Sequence, residues 1–182
     1  GELFSYPIEA IIKEANSCLN EGCKEIWITS QDNASYMLDK NKISKLPELL
    51  KNIIGIDKEF MVRIGMMNLN HLLPVADELI KIYKNKKIFK FLHIPIQSGN
   101  DEILKLMNRK YAVDDFKRIV NLFREEIPDI TISTDVICGF PAESEQQFND
   151  SLNLIKEIRP EILNISRFQA RASTKAAKMK QV

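Results

Sequence analysis

The chain has 182 residues, of which 45% are hydrophobic and 28% charged, and its 26 Lys and Arg against 25 Asp and Glu leave a net charge of +1. This size and composition predict a single soluble globular domain with a sizeable core, whereas the near-zero net charge says little about partners because a balanced total can hide a local patch. No run approaches the roughly 18 apolar residues of a membrane span, and no charged-then-apolar leader opens the sequence, so we predict a cytoplasmic protein without membrane partners.

The three cysteines do not form a metal-binding pattern. Cys18, Cys23 and Cys138 stand outside metal-ligand spacings, and their odd number argues against a disulfide framework. Cys18 and Cys23 are five residues apart, so they would not share a helix face as two ligands must. We interpret all three as reduced core thiols and predict no metal ligand in this chain.

The first predicted elements are two helix–strand units. A helix runs from Pro7 to about Gly22, and its apolar residues follow helical spacing: Ile8, Ile11, Ile12, Ala15 and Leu19. Residues 25–30 are β-branched and aromatic and predict a buried strand. A second helix, capped by Ser44 and ended by Gly55, leads to a strand over residues 60–66.

The same unit repeats three more times along the chain. A helix over 72–83 leads to a strand over 89–96, helices within 100–127 lead to a strand over 130–137, and a helix capped by Ser144, with Gln147 three residues on, leads to a strand over 162–168. Strands joined through a helix run parallel, so the fold class is α/β. A complete eight-unit barrel needs roughly 250 residues, so periodicity alone leaves a partial barrel or an open doubly wound sheet.

Functional residue types concentrate at the predicted carboxyl ends of the strands, where parallel α/β folds place their active sites. They are Ser30, Gln31, Asp32, Arg63, Met66, Asn68, His93, Gln97, Ser98, Asp135, Gly139, Phe140, Arg167, Gln169 and Arg171. Any one of them could be an ordinary polar loop residue. Arg63, His93 and Asp135, however, interrupt apolar strands, where an unpartnered buried polar group costs roughly 1 to 3 kcal/mol. Each must face a site or be paired in a structural ion pair, and a strand histidine beside Pro95 is often a hydrogen-bonded core residue.

In two segments, a turn that contains glycine joins the end of a predicted strand to the start of a predicted helix. Residues 135–143 read DVICGFPAE, in which Gly139 lets backbone approach a ligand closely. Residues 93–100 read HIPIQSGN, with Asn100 as a predicted helix cap. The free N–H groups of such helix starts could hold a carboxylate or a sugar hydroxyl.

Five strings, in order, resemble the radical S-adenosylmethionine domain of the methylthiotransferase family. They are TSQD at 29–32, RIGM at 63–66, HIPIQSG at 93–99, MNRKY at 107–111 and TDVICGFP at 134–141. The first two look most like the archaeal and eukaryotic branch that acts on threonylcarbamoyladenosine beside the anticodon of tRNA. The resemblance implies an enzyme that adds a methylthio group to C2 of that nucleoside by radical chemistry. The alternatives are the sister enzymes of isopentenyladenosine or of a ribosomal protein, and a non-catalytic RNA-binding barrel.

The resemblance also implies how the chain is organised. Residues 1–182 would be units two to six of a partial (βα)6 barrel that lacks its first strand, with an amino-terminal cluster-binding domain and a carboxyl-terminal RNA-binding domain outside the chain. The family's 4Fe-4S cluster is held by Cys-x-x-x-Cys-x-x-Cys after that first strand, so we expect this chain alone to be inactive. Its partners would be S-adenosylmethionine, tRNA, and sulfur and electron donors. A basic stretch could contact RNA or be a solvated linker: Arg167, Arg171, Lys175, Lys178 and Lys180.

From the resemblance we expect eight residues around the cofactor and assign no catalytic residue. Six lie near S-adenosylmethionine, namely Gln31, Asp32, Gln97, Ser98, Asp135 and Gly139, with Arg63 and Arg167 as charge partners in the barrel mouth. The chain departs from the family at Ala142, where glycine or threonine is common, at Leu69, where proline is often seen, and at 171–174, where Arg-Pro-Gly-Thr is usual.

Overall fold

The computed structural model describes residues 2–172, 174 and 176–179, which form alternating helices and parallel strands. The helices are α1 (Ile8–Asn20), α2 (Leu46–Ile54), α3 (Leu69–Leu72), α4 (Ala76–Tyr83), α5 (Asp101–Leu106), α6 (Val113–Glu126) and α7 (Glu145–Ile158). The strands are β1 (Glu25–Ile28), β2 (Met61–Ile64), β3 (Phe91–His93), β4 (Thr131–Cys138) and β5 (Ile162–Arg167). Short 3-10 turns cover Asn33–Ser35, Leu73–Val75 and Ala176–Lys178.

The strands lie side by side in the order in which they occur along the chain. β1 pairs with β2, β3 with β4, and β4 with β5, all in parallel. β2 is joined to the β3 segment by the parallel bridge between Val62 and Ile88 and by the bond from Phe89 N–H to Val62 O, 3.0 Å. A doubly wound sheet would reverse its strand order at a switch point, whereas a sequential parallel order is that of a barrel. The partial barrel is therefore confirmed, and within the described residues β1 and β5 do not pair to close it.

Alternation along the strands separates the core from a concave polar face. Val62, Ile64 and Leu92 are almost fully buried and point outward under the helices. The residues between them, Arg63 and His93, are only half-buried and lie on the concave side. Because successive strand side chains face opposite sides, one apolar set packs the helices while the other is left to line the barrel interior.

Several element boundaries differ from those expected from the sequence, and prolines account for two of them. The predicted helix over 72–83 starts earlier, at Leu69, and passes through a 3-10 turn at Pro74 before α4 begins. Pro74 lacks the N–H that a continuous helix would use. β3 covers only three residues, because Pro95 cannot donate to the ladder, and pairing resumes at the single bridge between Gln97 and Val136.

Both predicted side-chain caps at the sheet's carboxyl edge are confirmed. Asn100 accepts from the N–H groups of Glu102 and Ile103 at the start of α5. Ser144 and Gln147 form a reciprocal capping box at the start of α7. Capping satisfies N–H groups that have no partner within the helix, so these residues set where each helix begins.

Two expectations about burial need correction. β1, predicted as a buried strand, is an edge strand in which the Trp27 side chain is 58% exposed, because no described strand covers its outer side. Cys23 is exposed rather than a core thiol, while Cys18 and Cys138 are half-buried. Throughout residues 2–172, 174 and 176–179, no helix is both long and apolar enough to cross a bilayer.

Candidate active site

The predicted site residues lie on the concave face and in the loops at its carboxyl edge. Arg63 and Asp135 belong to β2 and β4 and face the barrel interior. The others follow the strands: Gln31 and Asp32 after β1, Gln97 and Ser98 after β3, Gly139 after β4 and Arg167 at the end of β5. The fold thus brings the loops to one edge, although not all of the side chains point into one space.

A hydrogen-bonded triad crosses the three strands β3, β4 and β5. His93 Nε2 lies 3.1 Å from both carboxylate oxygens of Asp135. Asn164 Nδ2 donates to Asp135 Oδ1 over 2.7 Å. The side chains of His93 and Asp135 are 22% and 29% exposed, so the pair is accessible from the concave side. His93 thus has a hydrogen-bonded partner, and the pair lies within the candidate site.

Asn164 was not among the sequence-predicted site residues. It stands opposite Asp135 in the β4–β5 register. A signal was available, because Asn164 is a polar residue between the apolar Leu163 and Ile165. The strand alternation that places Leu163 toward the core places Asn164 on the concave face.

Arg63 is held between two aromatic rings. Its guanidinium carbon lies 4.3 Å from the ring centroid of Phe91 and 5.0 Å from that of Trp27. Stacking of this kind orients an arginine without using its N–H donors. Within the described part of the chain no carboxylate forms an ion pair with Arg63. Its donors can therefore serve an anionic group that enters the concave face.

Asp32 is the centre of a network that joins the loops after β1 and β2. Its Oδ1 accepts from the N–H groups of Ala34 (3.0 Å) and Asn68 (2.8 Å), and its Oδ2 lies 2.6 Å from His71 Nδ1. The Asp32 side chain is only 16% exposed. Its neighbour Gln31 is exposed and has no such bonds among the described residues. Geometry therefore gives Asp32 a loop-positioning role and leaves Gln31 available to a ligand.

In the loop after β3, Gln97 is bonded to the neighbouring strand β4, whereas Ser98 faces the helix α7. Gln97 adopts a φ of 75°, and its backbone bonds to Asp135 O (2.8 Å) and to the N–H of Ile137 (2.9 Å). Left-handed backbone at a non-glycine residue is strained and must be held by its surroundings. Ser98 is fully buried, with its hydroxyl 3.4 Å from that of Ser151 in α7. Its predicted contact with the cofactor stays a prediction, since the hydroxyl contacts the helix.

Tyr111 of the MNRKY motif fixes the loop after β3 by hydrogen bonds. The Tyr111 hydroxyl donates to the carbonyl oxygens of Pro95 and Ile96, each over 3.2 Å. Burial raises the pKa of Tyr111 to about 12. The hydroxyl therefore remains a hydrogen-bond donor at neutral pH and fixes the backbone that carries Gln97.

The loop after β4 begins at Gly139, whose backbone is bonded to the buried carboxylate of Glu143. Gly139 has a φ of 73°, and a methyl group added there would meet no heavy atom within 4 Å, so a ligand could approach this backbone. Its N–H donates to Glu143 Oε2 over 2.6 Å. Burial, and then the Glu143 carboxylate, raises the pKa of the Cys138 thiol. The Cys138 thiol is therefore protonated at neutral pH.

Ala142, the departure from the family pattern in this loop, has a φ of 67° and is exposed. We expect Ala142→Gly to stabilise the protein by roughly 0.5 to 1 kcal/mol, because the left-handed region costs an L-residue about 1 to 2 kcal/mol and glycine loses about half of that gain through chain entropy. Thermal unfolding should shift upward by about 1 to 4 °C. The matched control is Ala10→Gly, an exposed alanine within α1, which should lower stability by about 1 kcal/mol. Equal destabilisation by both variants would contradict the strain at Ala142.

Exposed basic side chains follow β5, and among the residues that the structure describes none of them forms an ion pair. Arg167 and Arg171 are exposed and line a shallow cleft of about 500 Å³ together with Ile137 and Phe168. Lys178 is also exposed. Two other members of the basic stretch, Lys175 and Lys180, lie outside the described residues, as does Ser173 of the altered 171–174 turn. The position of Arg167 suits an anion at the barrel mouth but does not bring it into contact with the Asp135 triad.

No metal site is formed within residues 2–172, 174 and 176–179, where no three His, Cys, Asp or Glu side chains converge to hold an ion. The three cysteines lie in α1, just after α1 and at the end of β4. The side chains present among these residues therefore do not fit an iron-sulfur cluster.

The sequential order of parallel strands, with polar groups at the carboxyl edge, places the chain in the class of open α/β barrels. The chain belongs to the Radical SAM superfamily, whose family model matches residues 1–155. The predicted family and fold class are thereby confirmed.

Curated relatives match the chain over its whole length. It is 47% identical over 182 residues to a probable threonylcarbamoyladenosine tRNA methylthiotransferase of Archaeoglobus fulgidus, covering 100% of this chain and 43% of the relative. It is 42% identical over 183 residues to the human threonylcarbamoyladenosine tRNA methylthiotransferase, covering 100% of this chain and 31% of that protein. The chain thus spans less than half the length of these relatives.

Solved structures with the same fold are much more distant in sequence. The radical S-adenosylmethionine methyltransferase TsrM of Kitasatospora setae superposes with a TM-score of 0.69 at 15% identity, over 88% of this chain and 31% of the other. Elp3 of Methanocaldococcus infernus superposes with a TM-score of 0.56 at 15% identity, over 97% of this chain and 46% of the other. At these identities the likeness concerns the fold alone.

Proposed function

We propose that the chain is the cofactor-binding barrel of a tRNA methylthiotransferase that adds a methylthio group to threonylcarbamoyladenosine. The observation that carries this proposal is the match of the entire chain, at 47% and 42% identity, to archaeal and human enzymes of that name. The five motifs on which the resemblance rests lie in or directly after β1, β2, β3, α5 and β4. Four of these positions belong to the strand ends and the loops beyond them, where barrel enzymes bind their ligands.

The residues present suit S-adenosylmethionine. Arg63 offers guanidinium donors that no carboxylate of the described chain occupies, which suits the methionyl carboxylate. Asp135, oriented by His93 and Asn164, suits an amino group or ribose hydroxyls. Gly139 leaves space at the backbone for close approach. When bound to a reduced cluster, S-adenosylmethionine supplies a deoxyadenosyl radical that abstracts hydrogen, while this chain's own residues bind and orient the reactants.

The remaining parts of the reaction require residues beyond those described. Since no cluster ligands converge here and the relatives are more than twice as long, we place the 4Fe-4S clusters, the sulfur and electron donors and the main tRNA-binding domain in the rest of a longer parent enzyme. On this proposal Gln31, Gln97 and Gly139 line the cofactor space, while Asp32 and Ser98 hold the loops that carry them.

We expect Asp135→Ala and Gln97→Ala in the intact parent enzyme to weaken equilibrium binding of S-adenosylmethionine at least tenfold. A charge-assisted hydrogen bond contributes roughly 1.5 to 3 kcal/mol, and tenfold corresponds to about 1.4 kcal/mol. Isothermal titration with the cofactor measures the effect. Glu157→Ala, an exposed residue of α7, is the matched control and should bind normally. Unchanged affinity in both site variants would remove these residues from the cofactor site.

Deleting the parent gene tests the substrate. The proposal expects unmethylthiolated threonylcarbamoyladenosine to accumulate in tRNA. Accumulation of unmodified isopentenyladenosine or of an unmodified ribosomal protein would instead identify a sister enzyme, and unchanged modification of all three would favour a non-catalytic RNA-binding barrel.

A further inference from the structure

The amino-terminal segment displays two aromatic side chains on an ordered backbone. Ser5 is buried, whereas Phe4 and Tyr6 on either side of it are 71% and 65% exposed. Their ring centroids lie 5.2 Å apart in an edge-to-face arrangement. In an extended segment, residues i and i+2 share a side, so the inward Ser5 turns both rings toward solvent.

Four hydrogen bonds, including one from Lys40 Nζ, hold this segment against the loop after β1. The Ser5 N–H donates to Asp39 Oδ2 over 3.1 Å, and Ser5 Oγ accepts from the N–H of Met37 over 2.8 Å. The Tyr36 hydroxyl donates to the Tyr6 carbonyl over 2.7 Å. The rings are therefore presented by a positioned backbone, which lowers the entropy cost of binding a partner.

The segment borders the cofactor edge of the barrel. Phe4 and Tyr6 line a cleft of about 640 Å³ that is also lined by Trp27 of β1 and by Gln31 in the loop after β1. The Trp27 indole is itself fixed, with Nε1 donating to Glu25 over 3.0 Å and Arg63 stacked against the ring. Three exposed aromatic rings, those of Phe4, Tyr6 and Trp27, thus line the same cleft as a predicted cofactor residue.

Cations accompany these rings. Lys40 Nζ lies 5.9 Å from the Phe4 ring centroid and donates to the Ser5 carbonyl over 3.2 Å. Lys42, two residues on, is exposed and has no carboxylate partner in the described part of the chain. Aromatic faces with adjacent Lys or Arg are the combination that binds unpaired nucleobases together with their phosphates.

We propose that Phe4, Tyr6 and Lys40, here called the aromatic surface, stack and hold unpaired bases of the RNA substrate next to the nucleoside that enters the barrel. A nucleoside can reach a recessed site only when it leaves its base stack, and its neighbours then need new stacking partners. The aromatic surface supplies them at the entrance of the cleft. This inference rests on the proposed function, since it assigns a contact of the same RNA substrate.

The test uses the intact parent enzyme and an anticodon stem-loop RNA, with binding measured by fluorescence anisotropy at one fixed salt concentration. Phe4→Ala and Tyr6→Ala should each weaken binding roughly tenfold, the middle of the range for loss of one stacked base. Phe4→Trp should bind as the parent does, whereas Phe4→Leu, apolar but not aromatic, should bind as weakly as Phe4→Ala. Phe148→Ala, which removes an exposed ring from the outer helix α7, is the matched control and should change nothing.

Two results would overturn the inference. One is unchanged RNA affinity in Phe4→Ala and Tyr6→Ala at an unchanged unfolding temperature. The other is a lower unfolding temperature with unchanged affinity, which would show that another part of the parent enzyme packs on the aromatic surface. Neither result contradicts the proposed function if the parent enzyme still methylthiolates its tRNA. If the parent enzyme neither binds nor modifies RNA, the proposed function itself is wrong.

Discussion

Gly99→Ala is expected to lower the free energy of unfolding by roughly 3 kcal/mol and to abolish cofactor binding. A methyl group at Gly99 would lie 2.5 Å from Ser151 Cα and 2.8 Å from Asp150 O, both backbone atoms of α7. Backbone within a helix cannot move aside as a side chain can, and overpacking a tight contact costs about 1 to 3 kcal/mol or more. The displaced loop also carries Gln97, so chemical denaturation and cofactor titration should both report the change.

Two companion variants make the Gly99 experiment decisive. Gly55→Ala places its methyl group 3.2 Å from a carbonyl oxygen at a helix end and should cost at most about 1 kcal/mol. Ser151→Ala removes the hydroxyl that accepts from the Gly99 N–H over 2.8 Å but leaves the clashing backbone, so it should not rescue Gly99→Ala. Rescue by Ser151→Ala would show that side-chain crowding, rather than contact between the two backbones, limits this position.

Asp32→Ala is expected to destabilise the protein by roughly 3 kcal/mol. The variant removes the acceptor of the Ala34 and Asn68 N–H groups and the partner of His71. Hydrogen bonds to a charged group contribute about 1.5 to 3 kcal/mol each, and buried donors left without an acceptor add a further cost. Urea denaturation measures the loss. A double-mutant cycle with His71→Ala should give a coupling of about 1 to 3 kcal/mol, since the two side chains share one network.

The neighbouring residue provides the matched control for Asp32. Gln31→Ala, at an exposed position without such bonds, should change stability by less than about 0.5 kcal/mol and should affect cofactor affinity instead. If Asp32→Ala were as stable as the parent and lost only cofactor affinity, the carboxylate would contact the cofactor directly and the positioning role would be wrong.

Much of the architecture was predictable because it depends on local periodicity. The helical spacing from Ile8 to Leu19, the β-branched strands and the Asn100 and Ser144 caps all occur where the sequence indicates. The errors lie where a local pattern competes with a partner that the pattern does not reveal. β3 shortens at Pro95, and β1 is exposed because it forms an edge.

The candidate site was predictable by position but not by role. Strand ends identified Asp32, Gln97, Asp135 and Gly139, because parallel strands bring their carboxyl ends to one edge. The sequence did not distinguish Asp32, which is bonded to the loop after β2, from the exposed Gln31 beside it. That distinction depends on which donors lie within about 3 Å, and the donors come from residues 36 and 39 positions away.

Local sequence patterns were sufficient to predict the elements, their parallel direction and the chemical types at the sheet edge, since all three depend on near neighbours in the chain. Three features could be read only from the folded chain: the sequential strand order of a partial barrel, the stacking of Arg63 between Trp27 and Phe91, and the His93–Asp135–Asn164 triad. These contacts join different strands, and their geometry is set by strand register and by core packing on the opposite face. The outward display of Phe4 and Tyr6 has the same origin, because it follows from the burial of Ser5 against a loop more than 30 residues away.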